Sequence, residues 1–371
     1  MTEADLSGLV RSVLLYGFAV GVAFGAVAQR THFCTMGAIA DVMHLGDWSR
    51  MRMWVLAMAV AIIGFNAMVA AGWVRASASS YAGSALPWLS LALGGLLFGI
   101  GMVLASGCGA KTLVRVGGGN LKSLTVFVVL GVSAFMTLKG VTALWRVATT
   151  DAVVLQLPVG QDLPSLLAHA AGSQVQLVAG WLGAAIGAVL LTWVLWRREG
   201  RSPDVLGGGL AIGLLVVLGW WLSGRHGHLL EHPQTLEETF LATSSQRMES
   251  LSFVAPVGYL IDWLMYASDS SRRLGLGTAI ALGVVAGSAV VALGTGSFRW
   301  EGFRGVEDTA NHLAGAVLMG VGGVTALGCT IGQGVSGVST LSLGSTIAVA
   351  GIVAGAVAAL KWQAWRVERQ G

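Results

Sequence analysis

The chain has three cysteines in 371 residues, Cys34, Cys108 and Cys329; the last two sit in glycine-rich settings, and Cys34 has Gly37 three residues after it. Two of them are in Gly-Cys pairs, Gly107-Cys108 and Gly328-Cys329. A neutral thiol is a weak donor that can touch a soft anion without charge repulsion. A thiolate is a nucleophile that would repel an anion but could exchange sulfur with it. The spacing fits neither a disulfide framework nor a CxxC metal site. The residue types therefore offer two chemistries, contact with a passing anion or sulfur transfer.

The two Gly-Cys pairs lie 221 residues apart, and sliding the sequence onto itself by that offset aligns more than the cysteines. Gly37 meets Gly258, Asp41 meets Asp262, Arg52 meets Arg273 and Ala105 meets Ala326; Gly94, Gly99 and Gly101 meet Gly315, Gly320 and Gly322. Roughly two Gly–Gly matches are expected by chance over such a window. Five occur, together with an Asp, an Arg and a Cys, so the halves read as a duplication. Cys34 faces Ala255 in this alignment and is an addition that the duplication does not explain.

The elements that must position these residues are membrane helices. Hydrophobic residues make up 55% of the chain and Asp, Glu, Lys and Arg only 11%, too few charges to cover a soluble protein of this size. Alternating strand patterns are absent, which excludes a membrane β-barrel. About nine stretches are long enough to span: 12–29, 53–73, 88–106, 122–145, 174–196, 205–222, 274–294, 311–327 and 343–362. The expected fold is thus an all-α polytopic membrane protein of about nine transmembrane helices with short re-entrant helices. Segments 33–46 and 251–267 are too short or polar to add as spans.

Five of these spans separate Cys108 from Cys329, and copies separated by an odd number of crossings face opposite ways. The organisation is therefore an inverted-topology repeat: 1–146 as the first unit, 147–204 as a linker with one inverting helix, and 205–371 as the second unit. The residues after each Gly-Cys are glycine-rich and follow an apolar span, as re-entrant half-helices would. Their N-termini would point unsatisfied N–H groups inward, which suits an anion. Thr330, Gln333, Ser336, Asn66 and Thr112 are polar enough to line a path, although each could equally make helix-packing hydrogen bonds. Lys111 and Arg115 could draw an anion toward Cys108 or simply anchor orientation. Counting Lys and Arg on alternate sides gives fourteen against eight. The richer side, with Arg50, Lys111, Arg115, Arg197, Arg198 and Lys361, should be cytoplasmic, leaving the N-terminus periplasmic and the C-terminus inside.

Other features have plainer readings. The N-terminal Met1-Thr-Glu-Ala-Asp lacks the basic region of a signal peptide. Gly332-Gln-Gly-Val-Ser-Gly matches GxGxxG but has no strand before it, so no nucleotide is expected. His226, His228, Glu231 and His232 read as loop residues of the hydrophilic stretch 224–250 rather than a metal site, whose role the sequence leaves open. Trp54, Trp73, Trp88, Trp145, Trp196, Trp221 and Trp362 read as an interfacial belt. Asp41 and Asp262, repeated within apolar surroundings, are either functional or paired with Arg or backbone amides.

The cysteine contexts FCxMGAxxD (from Phe33), SGCGAK (from Ser106) and LGCTxGQGVSG (from Leu327) resemble the YeeE/YedE sulfur-transport family across essentially the whole chain. The resemblance implies an hourglass-shaped helical bundle, with thiosulfate passing along a line of the three cysteines. Carried onto this sequence, the path would hold Cys34, Cys108 and Cys329 with Gly107, Gly109, Gly328, Thr330 and Gln333, and Cys108 would be the most critical. It implies a bacterial inner-membrane transporter embedded in the lipid bilayer, importing thiosulfate or a related small sulfur oxyanion. No enzyme activity, cofactor, metal or nucleic acid is expected, and a small cytoplasmic sulfur-carrier protein is a possible partner. Two alternatives stand beside it: a membrane sulfurtransferase forming a persulfide on Cys108, and a transporter of selenium or another sulfur species.

Overall fold

The computed structural model describes residues 3–269 and 274–370; Arg272 and Arg273, the latter aligned above with Arg52, lie outside them. The chain is almost wholly helical: α1 (Glu3–Thr31), α2 (Thr35–His44), α3 (Ser49–Ala70), α4 (Trp88–Leu104), α5 (Gly109–Gly117), α6 (Leu121–Lys139), α7 (Val141–Ala148), α8 (Leu163–Ala171), α9 (Val175–Trp196), α10 (Pro203–Trp221), α11 (Ala255–Met265), α12 (Leu276–Gly294), α13 (Val306–Thr325) and α14 (Leu343–Gln370). Eight helical stretches among the described residues are long and apolar enough to cross a bilayer. The protein is an all-α, multi-pass membrane protein.

The ninth expected span, 311–327, is α13, whose first turns carry Glu307, Asp308, Asn311 and His312 and are too polar to stand with the other eight. Those charges are neutralised locally: Lys122 Nζ lies 2.8 Å from Asp308, and His312 Nδ1 lies 3.1 Å from it. The expected span 122–145 ends earlier, at Gly140, where α6 stops and α7 begins, a helix with none of its residues fully buried. Segments 33–46 and 251–267 hold the short helices α2 and α11, beside full spans rather than across the membrane.

Glycines set how the halves meet. Helices α4 and α13 cross antiparallel so closely that a methyl built on Gly94 would lie 2.8 Å from the Gly322 carbonyl, and one on Gly101 2.7 Å from that of Gly315. The reciprocal contacts are Gly315 on Gly101 (2.6 Å) and Gly322 on Gly94 (2.7 Å). Each contact recurs with both members displaced by 221 residues, as a two-fold axis through the crossing demands. The same exchange governs the neighbours: α1 packs on α12 and α10 on α3, while α4 packs on α14 and α13 on α6. Small residues at such crossings bring backbones into van der Waals contact, which drives helix association where lipid is as apolar as the protein. Phe24 against Phe253 and Phe65 against Trp220, both with rings 5.1 Å apart, fill the space beside the crossing.

The polar stretch 224–250 is pinned rather than free. Met248 exchanges backbone hydrogen bonds with the turn at Ala78 and Ser80 (3.0 and 3.1 Å), and Arg75 and His228 both hold Glu238. His226 stacks on Trp221 and meets the Ser12 hydroxyl at 2.9 Å. These histidines are therefore engaged in loop packing.

Candidate functional site

The same local backbone precedes all three cysteines. Helices α4 and α13 both end with a residue in the left-handed region, Ser106 (φ 55°) and Leu327 (φ 56°). Paired hydrogen bonds fix each end: Gly107 N–H on the Met102 carbonyl and Ser106 N–H on Val103, then Gly328 on Gly323 and Leu327 on Val324, at 2.8–3.1 Å. This closes the orphan carbonyls of a helix terminus. His32, two residues before Cys34, has φ 53° and takes the same place after α1. A left-handed conformation costs a non-glycine residue about 1–2 kcal/mol, so the bend is imposed at all three positions without a glycine to ease it. Each cysteine then starts the next helical segment. The Gly37 amide donates to the Cys34 thiol (3.4 Å) and the Gly332 amide to Cys329 (3.3 Å), while the Lys111 amide points at Cys108.

These three starts converge. The Cys34 and Cys108 thiols are near enough to interact, so the cysteine without a repeat mate lies beside the one with it. On its other side Cys108 meets the Thr330 hydroxyl, next to Cys329 in the chain. The Cys329 thiol meets the Ser252 hydroxyl, which in turn contacts Tyr81. All three thiols are free and buried, at 8%, 2% and 0% exposure. Taken in order, Cys34, Cys108, Thr330, Cys329, Ser252 and Tyr81 form a line of soft and hydroxyl groups in which the step from Thr330 to Cys329 runs along the backbone.

The glycines named from sequence leave room along this line. A methyl on Gly107 would sit 3.3 Å from the Lys111 side chain, one on Gly109 3.1 Å from the Phe253 carbonyl, and one on Gly328 3.1 Å from Gln333. The other polar candidates divide. Asn66 donates to the Ile62 and Ser339 carbonyls, Ser336 to Leu251 and Thr112 to Cys108, all at 2.8–3.1 Å, so their hydrogen bonds serve packing. Thr330 Oγ1 makes no well-aligned hydrogen bond, and Gln333 Oε1 has no partner although its amide nitrogen donates to Ala326. Thr35 Oγ1, beside Cys34, and Trp54 Nε1 are also buried and unpartnered. Leaving a buried polar atom without a partner costs free energy; Thr330 and Thr35 are chain neighbours of Cys329 and Cys34, while Gln333 lies in the turn after Cys329 and Trp54 against it.

Trp54 corrects the belt reading. It is 6% exposed and lies over Gly334 in the π-helical turn Gly332–Gly337, whereas Trp73, Trp88, Trp145, Trp196 and Trp362 are exposed as expected. That turn also replaces the second half-helix expected after Cys329. Asp41 is paired with Arg50 at 3.2 Å, and Asp262 is buried on α11.

The two ends of the line differ in charge. At the Cys34 end, Lys111, Arg115 and Arg50 are near enough to one another and to the thiols to interact electrostatically, with His32 among them. Arg115 is fixed by its hydrogen bond to the Ser106 carbonyl (2.7 Å). Sequence reading had picked out Lys111 and Arg115 but not Arg50, which approaches over Gly37. At the Cys329 end the groups are the neutral hydroxyls of Ser252 and Tyr81, and neither Tyr81 nor Ser252 carries a motif that would have marked it.

The three buried thiols lie inside a multi-pass helical bundle, and residues 30–358 match the family described as sulphur transport, to which the chain belongs. Its relatives include the thiosulfate transporter TsuA of Escherichia coli (strain K12), 26% identical over 353 residues and 87% of each chain. The thiosulfate transporter TsuA of Spirochaeta thermophila is likewise 26% identical, over 347 residues, 90% of this chain and 93% of the relative. By family and by the names of these relatives, the protein belongs with transporters.

Proposed function

We propose that this chain imports thiosulfate across the bacterial inner membrane, from the Cys329 end of the line to the Cys34 end. The observation that carries the reading is the set of three buried thiols, Cys34 beside Cys108 and Cys329 reached through Thr330, with unpartnered donors near them. A thiol contacts the soft terminal sulfur of thiosulfate without adding charge, while Thr35, Trp54 and Thr330 offer O–H and N–H groups to its oxygens. Gly107, Gly109, Gly328 and Gln333 shape the passage. Lys111, Arg115 and Arg50 attract the anion onward to the cytoplasmic mouth. Residues 1–146 and 205–371 act as the two inverted units and 147–204 as their connection, with the N-terminus periplasmic and the C-terminus cytoplasmic.

Direction needs a driving force. Each charge moved against 100 mV costs about 2.3 kcal/mol, so a dianion entering a negative interior faces roughly 5 kcal/mol per 100 mV. Consumption of thiosulfate inside, by a small sulfur-carrier protein at the basic mouth, or co-movement of a cation would offset this. The test is growth of a host lacking its own sulfur uptake on thiosulfate as sole sulfur source. This gene should restore growth, and failure to do so at normal membrane abundance would contradict the proposal.

Two further outcomes follow. Cys34→Ser should slow uptake only several-fold, because Cys34 is the most exposed of the three thiols and neighbours the cations that hold the anion. Labelled uptake at matched protein level measures it, and a loss as deep as that of Cys108→Ser would contradict the ranking. Passage without chemistry also predicts that purified protein exposed to thiosulfate gains no sulfur. A transferase would break the S–S bond, keep one sulfur on Cys108 as a persulfide and release sulfite, raising the mass by about 32 Da. Intact-protein mass spectrometry separates the two.

A further inference from the structure

A cavity of about 190 Å³ adjoins the Cys329 end of the line through Ser252, and its wall includes Ser80, Tyr81, Glu249, Ser252, Tyr259 and Leu327. Ser252 and Tyr81 are shared between this wall and the thiol line: both contact one another, and Ser252 contacts Cys329. A methyl on Gly332 would meet both their hydroxyl oxygens, at 2.7 and 3.3 Å. The cavity is therefore the antechamber of the path. Its hydroxyls suit an oxyanion, and its single carboxyl, Glu249, does not.

Glu249 is built into place. Its backbone N–H donates to Ser223 (3.2 Å), the Ser245 hydroxyl donates to its Oε2 (3.0 Å), and the amides of Ser244 and Ser245 point at the carboxyl. Its other oxygen lies over Gly277 at the start of α12. The titratable and charged groups around it are Tyr81 on the adjoining turn, Tyr259 on α11 with Asp262 behind it and Lys139 of α6 over its ring, Arg247 on its own segment, and the Cys329 thiol. No Lys or Arg lines the cavity among the described residues. An anion beside an ionised Glu249 would thus face short-range repulsion that no cation lining the cavity offsets, only the Ser244 and Ser245 donors already on the carboxyl, whereas a neutral carboxyl would add one more O–H donor.

We infer that Glu249 is a proton-binding site linked to the anion: the antechamber takes the oxyanion with Glu249 protonated and releases it toward the bulk when Glu249 ionises. This rests on the reading of the protein as a thiosulfate importer and assigns the polar segment 224–250 its role, which is to carry that carboxyl over the path. Burial pushes the Glu249 carboxyl up to about 7. A group so raised keeps its proton below that pH and loses it above. Linkage is reciprocal, so the anion must also favour the proton.

The experiment is initial-rate uptake of labelled thiosulfate into liposomes holding the full-length protein, with outside pH set from 6 to 8. The wild type should show an apparent KM about tenfold higher at pH 8 than at pH 6, the factor expected for one linked proton titrating near 7. In Glu249→Gln, which cannot ionise, the ratio of the two KM values should fall to about one. A wild-type KM that is flat across this range overturns the linkage, whatever the variant does. So does a Glu249→Gln profile that keeps the wild-type slope. Absence of thiosulfate uptake by the wild type at every pH would instead strike the functional reading on which the inference stands.

Discussion

Cys108→Ser should cut thiosulfate uptake by roughly ten- to a hundredfold, the largest effect of any single side chain on the path. Cys108 is the thiol with a neighbour on each side, Cys34 and Thr330, so its loss breaks the line at its middle. Serine keeps a donor but replaces a large polarisable sulfur with a small oxygen, which meets a soft sulfur anion poorly and holds its own hydrogen bonds more tightly. Losing one hydrogen bond to a charged group costs about 1.5–3 kcal/mol, which sets the expected range. Uptake of labelled thiosulfate by cells with equal membrane levels of the two proteins checks it. Wild-type uptake by the variant would remove Cys108 from the path.

Gly94→Leu and Gly315→Leu should each prevent assembly of the bundle. A Cβ at Gly94 meets the Gly322 carbonyl, and one at Gly315 meets that of Gly101. Both neighbours are backbone, which cannot rotate away as a side chain would. Overpacking of a core typically costs about 1–3 kcal/mol, more when backbone must shift, and here two crossing helices would have to separate. Because the two glycines are related by the two-fold axis, the variants should fail alike. Gly8→Leu, where nothing lies within 4 Å, should be tolerated. Yield and monodispersity in detergent give the readout; a well-behaved Gly94→Leu protein would contradict the close crossing.

Much of this was legible before any coordinates. The offset of 221 aligned Gly94 with Gly315 and Gly101 with Gly322, and α4 and α13 meet through those same glycines. Glycine reports backbone approach directly, so its repetition survives in sequence. The place of Cys34 was not legible. Its equivalence to the other cysteines lies in backbone geometry, a left-handed residue two positions before and an amide three positions after, and His32, Ser106 and Leu327 share no side-chain chemistry. The spacing from Cys34 to Gly37 and from Cys329 to Gly332 was the one available hint. Trp54 was misassigned because a tryptophan near a helix end is usually interfacial; only the proximity of Gly334 makes it an inner residue. The antechamber was invisible because it joins Tyr81 to Glu249 and Tyr259, which lie far along the chain from it.

The central claim is that thiosulfate crosses the membrane through this protein alone, along the buried thiols. The most direct test is uptake of labelled thiosulfate by liposomes containing only the purified chain, compared with protein-free liposomes and with protein whose three cysteines are replaced by serine. The account predicts saturable uptake by the wild type and background uptake by the other two. Equal uptake by wild type and the cysteine-free protein would contradict it.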